Sequence, residues 1–134
     1  MSELEPYVLT FEDRTTYFYV HALVHQVDEK MYSSCVTKMI NACRKAGRDK
    51  LLIDREVDGV VPAAIVLLQV RYLNDVAEGL KVAIVDSDRA NAAEIARNIS
   101  LLNTGEGRVK MFATQHQAES WLELPAKQTA PALA

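Results

Sequence analysis

Apolar and β-branched residues crowd two stretches near the start of the chain, Tyr7 to Glu12 and Tyr17 to Val24. In the second, YFYVHALV, strand-forming types dominate, and the short polar EDRTT between the two predicts a hairpin-like pair. From Asp28, a candidate N-cap, the period changes. Tyr32, Cys35, Val36, Met39, Ile40 and Cys43 recur at i, i+3 and i+4, and Gly47 stops the pattern, which predicts a helix. A short buried strand follows from Leu51 to Asp54. Pro62 can open a helix running to about Val76, with Gly79 ending it. KVAIVD, Lys81 to Asp86, reads as another strand, and Asp88 to Leu102 as a helix with Ala92, Ile95, Ala96, Ile99 and Leu102 on one face. The polar turn NTGEG leads to a last strand, Val109 to Phe112. Thr114 and Gln117 form a capping pair for a final helix that carries Ala118, Trp121 and Leu122 inward. After Leu124, PAKQTAPALA has no periodicity, and a loose tail is expected.

The order is therefore β-β-α-β-α-β-α-β-α. Strands separated by single helices imply right-handed crossovers and a parallel sheet, while the hairpin makes the first strand antiparallel. The expected fold is α/β: one small domain with about five strands, mostly parallel, covered by four helices. Residues 1–6 read as a lead-in, 7–124 as the domain and 125–134 as a flexible tail.

Composition adds bounds rather than a function. The chain has 134 residues, enough to close one core, with 49% apolar and 25% charged residues. Net charge is −3. The densest basic group, Arg44, Lys45, Arg48 and Lys50, also holds Asp49 and falls at a helix-to-strand connection. A nucleic-acid surface needs a broader positive face, so none is expected. MSELEPYVLT has no signal-peptide pattern, and the apolar run VVPAAIVLL is about half the length of a membrane span. A cytoplasmic location is the expectation. Cys35 and Cys43 lie eight positions apart in one helix, with Cα atoms ~12 Å apart, too far for a disulfide. They read as small core residues.

In α/β sheets, ligands sit beyond the carboxyl ends of the strands. Two strands here end in aspartate, Asp54 and Asp86, and LLIDREVDGVVPAA concentrates Asp54, Glu56 and Asp58 before Gly59 and Pro62. The alternation imitates the opening of a calcium loop, but the twelfth position from Asp54 is Ile65 where a bidentate Glu is needed. An aspartyl-phosphate receiver needs a Lys at a later strand end, whereas Lys110 lies inside the last strand between Val109 and Met111 with no proline beside it. The strand-to-helix turns lack the glycines of a phosphate cradle. His21, His25 and His116 cannot be matched to a nucleophile at a strand-to-helix elbow, and His21 reads as a hydrogen-bonded histidine sharing a strand face with Tyr19 and Leu23. No catalytic residue, metal ligand or cofactor is expected. Asp54, Glu56 and Asp58 read as a solvated acidic turn, with a partner- or ligand-contacting rim as the alternative. The candidate contact residues are Asp54, Arg55, Asp58, Gly59, Asp86 and Arg89, with Arg55 and Arg89 able to pair with the carboxylates.

The YFYVHALV strand, the helix ending RKAGRDK, LLID, DREVDGVVP, KVAIVD and the ending VKMFATQHQAESWL, in this order and spacing, carry a likeness. The chain resembles the SpoIIAA-like proteins, bacterial domains related to the STAS fold and often described as STAS/Sec14-like, over about residues 7 to 124. The resemblance implies a helix-covered sheet without established catalytic activity. In the anti-sigma-factor antagonists of that fold, a serine at the start of the helix after the third strand is phosphorylated, adding roughly −2 charge at a helix start. From Leu51 to Arg71 this chain has no Ser, Thr or Tyr, so that loop cannot be a hydroxyl phosphoswitch.

The expected function is a non-enzymatic regulatory or protein-interaction module. A protein partner or self-association would use the strand-end loops and the broad apolar helix from Ala63 to Val76. The alternative is a binder or sensor of a small apolar ligand, a lipid or acyl chain, with Met31, Met39 and Met111 lining a cavity.

Overall fold

The computed structural model describes residues 7–24, 29–57, 71–73, 75–86 and 108–124. The hairpin forms as expected: β1 (Tyr7–Asp13) pairs antiparallel with β2 (Phe18–Val24), Tyr7 opposite Val24 and Asp13 opposite Phe18. The turn between them holds Thr15 at φ 71°, and the Thr15 amide donates to Asp13 Oδ1 at 3.1 Å. Arg48 then clamps the same Asp13 with two bonds, Nε to Oδ1 at 2.8 Å and Nη2 to Oδ2 at 3.2 Å. That guanidinium, with the Thr15 amide second, lowers the Asp13 pKa from its ordinary value.

Helix α1 (Glu29–Lys45) follows. Its end is closed by Gly47 at φ 75°: the Gly47 amide reaches Arg44 O and the Arg48 amide reaches Cys43 O. This is the left-handed stop that glycine makes without a Cβ clash. β3 (Lys50–Val57) pairs parallel to β2, and β4 (Lys81–Asp86) parallel to β3. β5 (Val109–Phe112) is parallel to β4, and α2 (Gln115–Glu123) follows with Thr114 Oγ1 accepting from the Gln117 amide at 3.2 Å. The five strands lie in chain order, β1-β2-β3-β4-β5. The mixed sheet with only its first strand antiparallel is the one the sequence predicts.

β3 differs from expectation. It runs three residues past Asp54, so Asp54, Arg55, Glu56 and Val57 continue the ladder beside Val24 and Asp86 rather than opening an acidic turn. The expected helix from Pro62 falls mostly outside the described residues; 71–73 and 75–76 are helical, and Gly79 follows at φ 85°. The expected helix from Asp88 to Leu102, the lead-in 1–6 and the tail 125–134 lie outside them too.

The strand period of two sorts side chains into two cores. On one face Val20, Ala22, Leu51, Ile53, Val82, Ile84, Val109 and Met111 pack under α1, through Cys35, Val36, Met39, Ile40 and Cys43, and under Leu73, Ala77 and Leu80. On the other face Leu52, Ala83 and Val85 pack with Tyr17 under Ala118, Trp121 and Leu122 of α2. Met39 and Met111 are thus core residues of the α1 side. Both cysteines are free and buried, and burial pushes each thiol up to about 11. Among the described residues, no helix is long and apolar enough to cross a membrane.

Candidate functional site

α2 covers the second face near the start of the strands. Farther along β2 and β3, the alternation that buries Tyr17 and Leu52 brings Tyr19 and His21 up beside Asp54 and Glu56. The parallel register sets His21 opposite Asp54, and each donor reaches the carboxylate two residues beyond its own neighbour. Tyr19 Oη donates to Asp54 Oδ2 at 2.7 Å, and His21 Nε2 lies 2.8 Å from Glu56 Oε2. Burial, and then the bond to Asp54, push the Tyr19 phenol up to about 12.

Arg14, from the hairpin turn, ties this patch to α2. Its guanidinium carbon sits 3.8 Å from the centre of the Tyr19 ring, while Nη1 donates to Tyr17 Oη at 3.2 Å and Nε to Glu12 Oε1 at 3.0 Å. Tyr17 Oη in turn donates to Glu119 of α2. The Tyr17 phenol is raised, by burial first and by Glu119 second. The bond to Tyr17, followed by that to Glu12, raises the Arg14 pKa against partial desolvation. Stacking and hydrogen bonding by one planar guanidinium fix three side chains at once, Glu12 of β1, Tyr17 just before β2 and Tyr19 of β2. The result is a half-exposed strip of aromatic rings and carboxylates held on rigid strands, with side-chain exposure of 32% at His21 and 57% at Glu56.

The residues proposed from sequence do not all meet here. Asp54 belongs to the strip. Arg55 belongs to the opposite face, opposite Ala22 of the α1-side core, because successive strand residues point to opposite sides. Its Nε is sealed from solvent, and its charge opposes part of the upward push that burial gives Tyr32 and Cys35 of α1. Arg55 therefore does not share a face with Asp54 and Glu56. Asp86 stands opposite Arg55 in the β3–β4 register. Asp58, Gly59 and Arg89 lie outside the described residues. Tyr19, His21 and Glu56, which stand outside the candidate contact residues, complete the strip as partners Tyr19–Asp54 and His21–Glu56, and the sequence carries the signal for them. Carrying the alternation of LLID through Arg55, Glu56 and Val57 would have placed Asp54 and Glu56 beside Tyr19 and His21.

Neither a family model nor a curated protein matches the chain. A solved structure is similar to it: an uncharacterized protein from the DUF3478 family, with a SpoIIAA-like fold, from Shewanella loihica PV-4. The two share 21% identity, the match covers 91% of this chain and 98% of that one, and the TM-score is 0.49.

Proposed function

We propose that the chain is a non-enzymatic interaction module whose protein partner docks on the strip formed by Tyr19, His21, Asp54 and Glu56. The observation that carries this reading is that the strip is exposed but already internally bonded: Tyr19 to Asp54, His21 to Glu56, Arg14 to Tyr17 and Tyr19. Side chains fixed in advance lose little freedom on binding, and Tyr and Arg are the types on which binding energy concentrates. The same bonding argues against chemistry at these groups. The Tyr19 phenol, up at about 12, stays protonated at neutral pH, and both thiols are buried with pKa values of about 11.

The test is affinity co-purification from the native host, using the wild type beside His21→Ala and Glu56→Lys. Both positions are exposed enough that melting temperatures should stay within a few degrees. One protein recovered with the wild type and lost from both folded variants is the expected result. Recovery of the same protein with both variants would place the contact elsewhere on the molecule.

A further inference from the structure

The amino end of the same sheet face carries a second feature, of opposite charge. Lys50 and Lys81 are opposite one another as the first residues of β3 and β4. Arg108 immediately precedes β5, and its carbonyl accepts from the Val82 amide at 2.8 Å. Lys110 follows two positions on, paired with Ala83. With adjacent strands about 4.8 Å apart, Lys50 and Arg108 flank Lys81 across about 10 Å. Three lysines from neighbouring strands and the arginine just before β5 thus occupy one corner of the sheet.

The fold holds this corner in place. Lys81 Nζ donates to the last carbonyls of α2, Trp121 O at 2.6 Å and Leu124 O at 3.1 Å, which leaves one of its three N–H bonds. The Trp121 ring gathers two ammonium groups, Lys81 Nζ at 4.5 Å and Lys110 Nζ at 5.7 Å from its centre. Asp49 and Glu123 are the nearby carboxylates in sequence, yet none of Lys50, Lys81, Arg108 and Lys110 forms a salt bridge among the described residues. Burial first, then repulsion by Lys50 and Lys110, lowers the Lys81 pKa, in keeping with two like charges near this ammonium group.

We infer that Lys50, Lys81, Arg108 and Lys110 form a binding site for a compact phosphate-bearing anion. The spacing favours phosphoryl oxygens over the carboxylates of an acidic peptide. A short phosphoryl chain concentrates several charges within the ~10 Å the basic residues span, whereas side chains on one face of an extended peptide recur only every ~7 Å. Lys81 contributes a fixed central charge, Lys110 a second ammonium group gathered by the same indole, and Lys50 and Arg108 flank them with donors that no described carboxylate pairs.

Pyrophosphate is the probe. Calorimetric titration of the full chain is expected to show saturable binding of pyrophosphate, weaker binding of inorganic phosphate, and none of chloride at matched ionic strength. The Lys50→Gln/Lys110→Gln double variant should weaken pyrophosphate binding by about tenfold or more, the equivalent of losing one charge-assisted bond. Arg108→Gln alone, at an exposed position that leaves the Trp121 contacts intact, should weaken it in the same direction. Absence of saturable binding, or binding unchanged in both folded variants, would overturn the assignment. Tighter binding of an oligoglutamate peptide than of pyrophosphate would overturn the phosphate class as well.

Discussion

Thr15 is the residue most at odds with its backbone. A β-branched side chain at φ 71° suffers the clash that makes the left-handed region costly for L-residues, about 1–2 kcal/mol, partly offset by the Asx bond from Asp13. Glycine there removes the clash at an entropic cost of about 0.5–1 kcal/mol. Thr15→Gly should therefore be neutral to stabilising by up to about 1 kcal/mol, read as an upward shift in the denaturation midpoint. A loss of stability would mean that the Thr15 side chain holds the turn. Tyrosine titration offers a second test at this scale. The Tyr19 phenol moves from an ordinary 10.0 to about 12, so the folded chain keeps its proton longer than the unfolded one. Stability from this group is fully present below about pH 10 and is lost as pH rises through about 12. Tyr17 and Tyr32 are raised too, chiefly by burial, so tyrosinate absorbance should lag that of the urea-unfolded chain. Tyr19→Phe should remove part of the lag.

Among the elements, the two helix ends differ in what holds them. α1 ends on Gly47, whose positive φ is the requirement; nothing lies within 4 Å of a Cβ built there. Gly47→Ala should therefore cost about 1 kcal/mol through backbone conformation alone, without disturbing the packing of Cys43 or Arg48. α2 ends on a borrowed side chain, Lys81, which bonds two of its terminal carbonyls and lies against Trp121. Lys81→Met keeps the stem but deletes the ammonium, and a loss of about 1–2 kcal/mol is expected in chemical denaturation. β3 shows what the sequence hides at this scale. LLI announces a buried strand, but DREV alternates charges that are equally at home in a turn. The partners that make it a strand, Tyr19 and His21, come from more than thirty positions earlier, with contact separations of 35 residues. Hydrophobic periodicity revealed the ladder only as far as both faces were apolar.

For the whole molecule, strand order and the antiparallel start were legible because each depends on local pattern: a short polar link for the hairpin, a helix between later strands. The division of the described core between the two sheet faces was not, since it depends on which face the last helix returns to. Trp121 and Leu122 were readable as buried residues, but not their partners Tyr17, Leu52 and Ala83. Leu52 is fully buried in the core on the α2 side. Leu52→Ala should cost about 2–5 kcal/mol, and one cooperative unfolding transition should persist if the two cores share the sheet as a single unit. Fluorescence of Trp121 and circular dichroism would then report the same midpoint.

The strand order also sets a schedule. A chain synthesised from its amino end lays β1 to β5 side by side, so each arriving strand finds its neighbour waiting, and α1 emerges before β3 needs its cover. On the opposite side, the cover that the described residues supply comes from the last helix. Among the described residues, the helical cover of Leu52, Ala83 and Val85 comes from α2, the last element to be released. A nascent chain halted before Gln115 lacks that cover, and chaperone capture should fall once Trp121 and Leu122 have emerged.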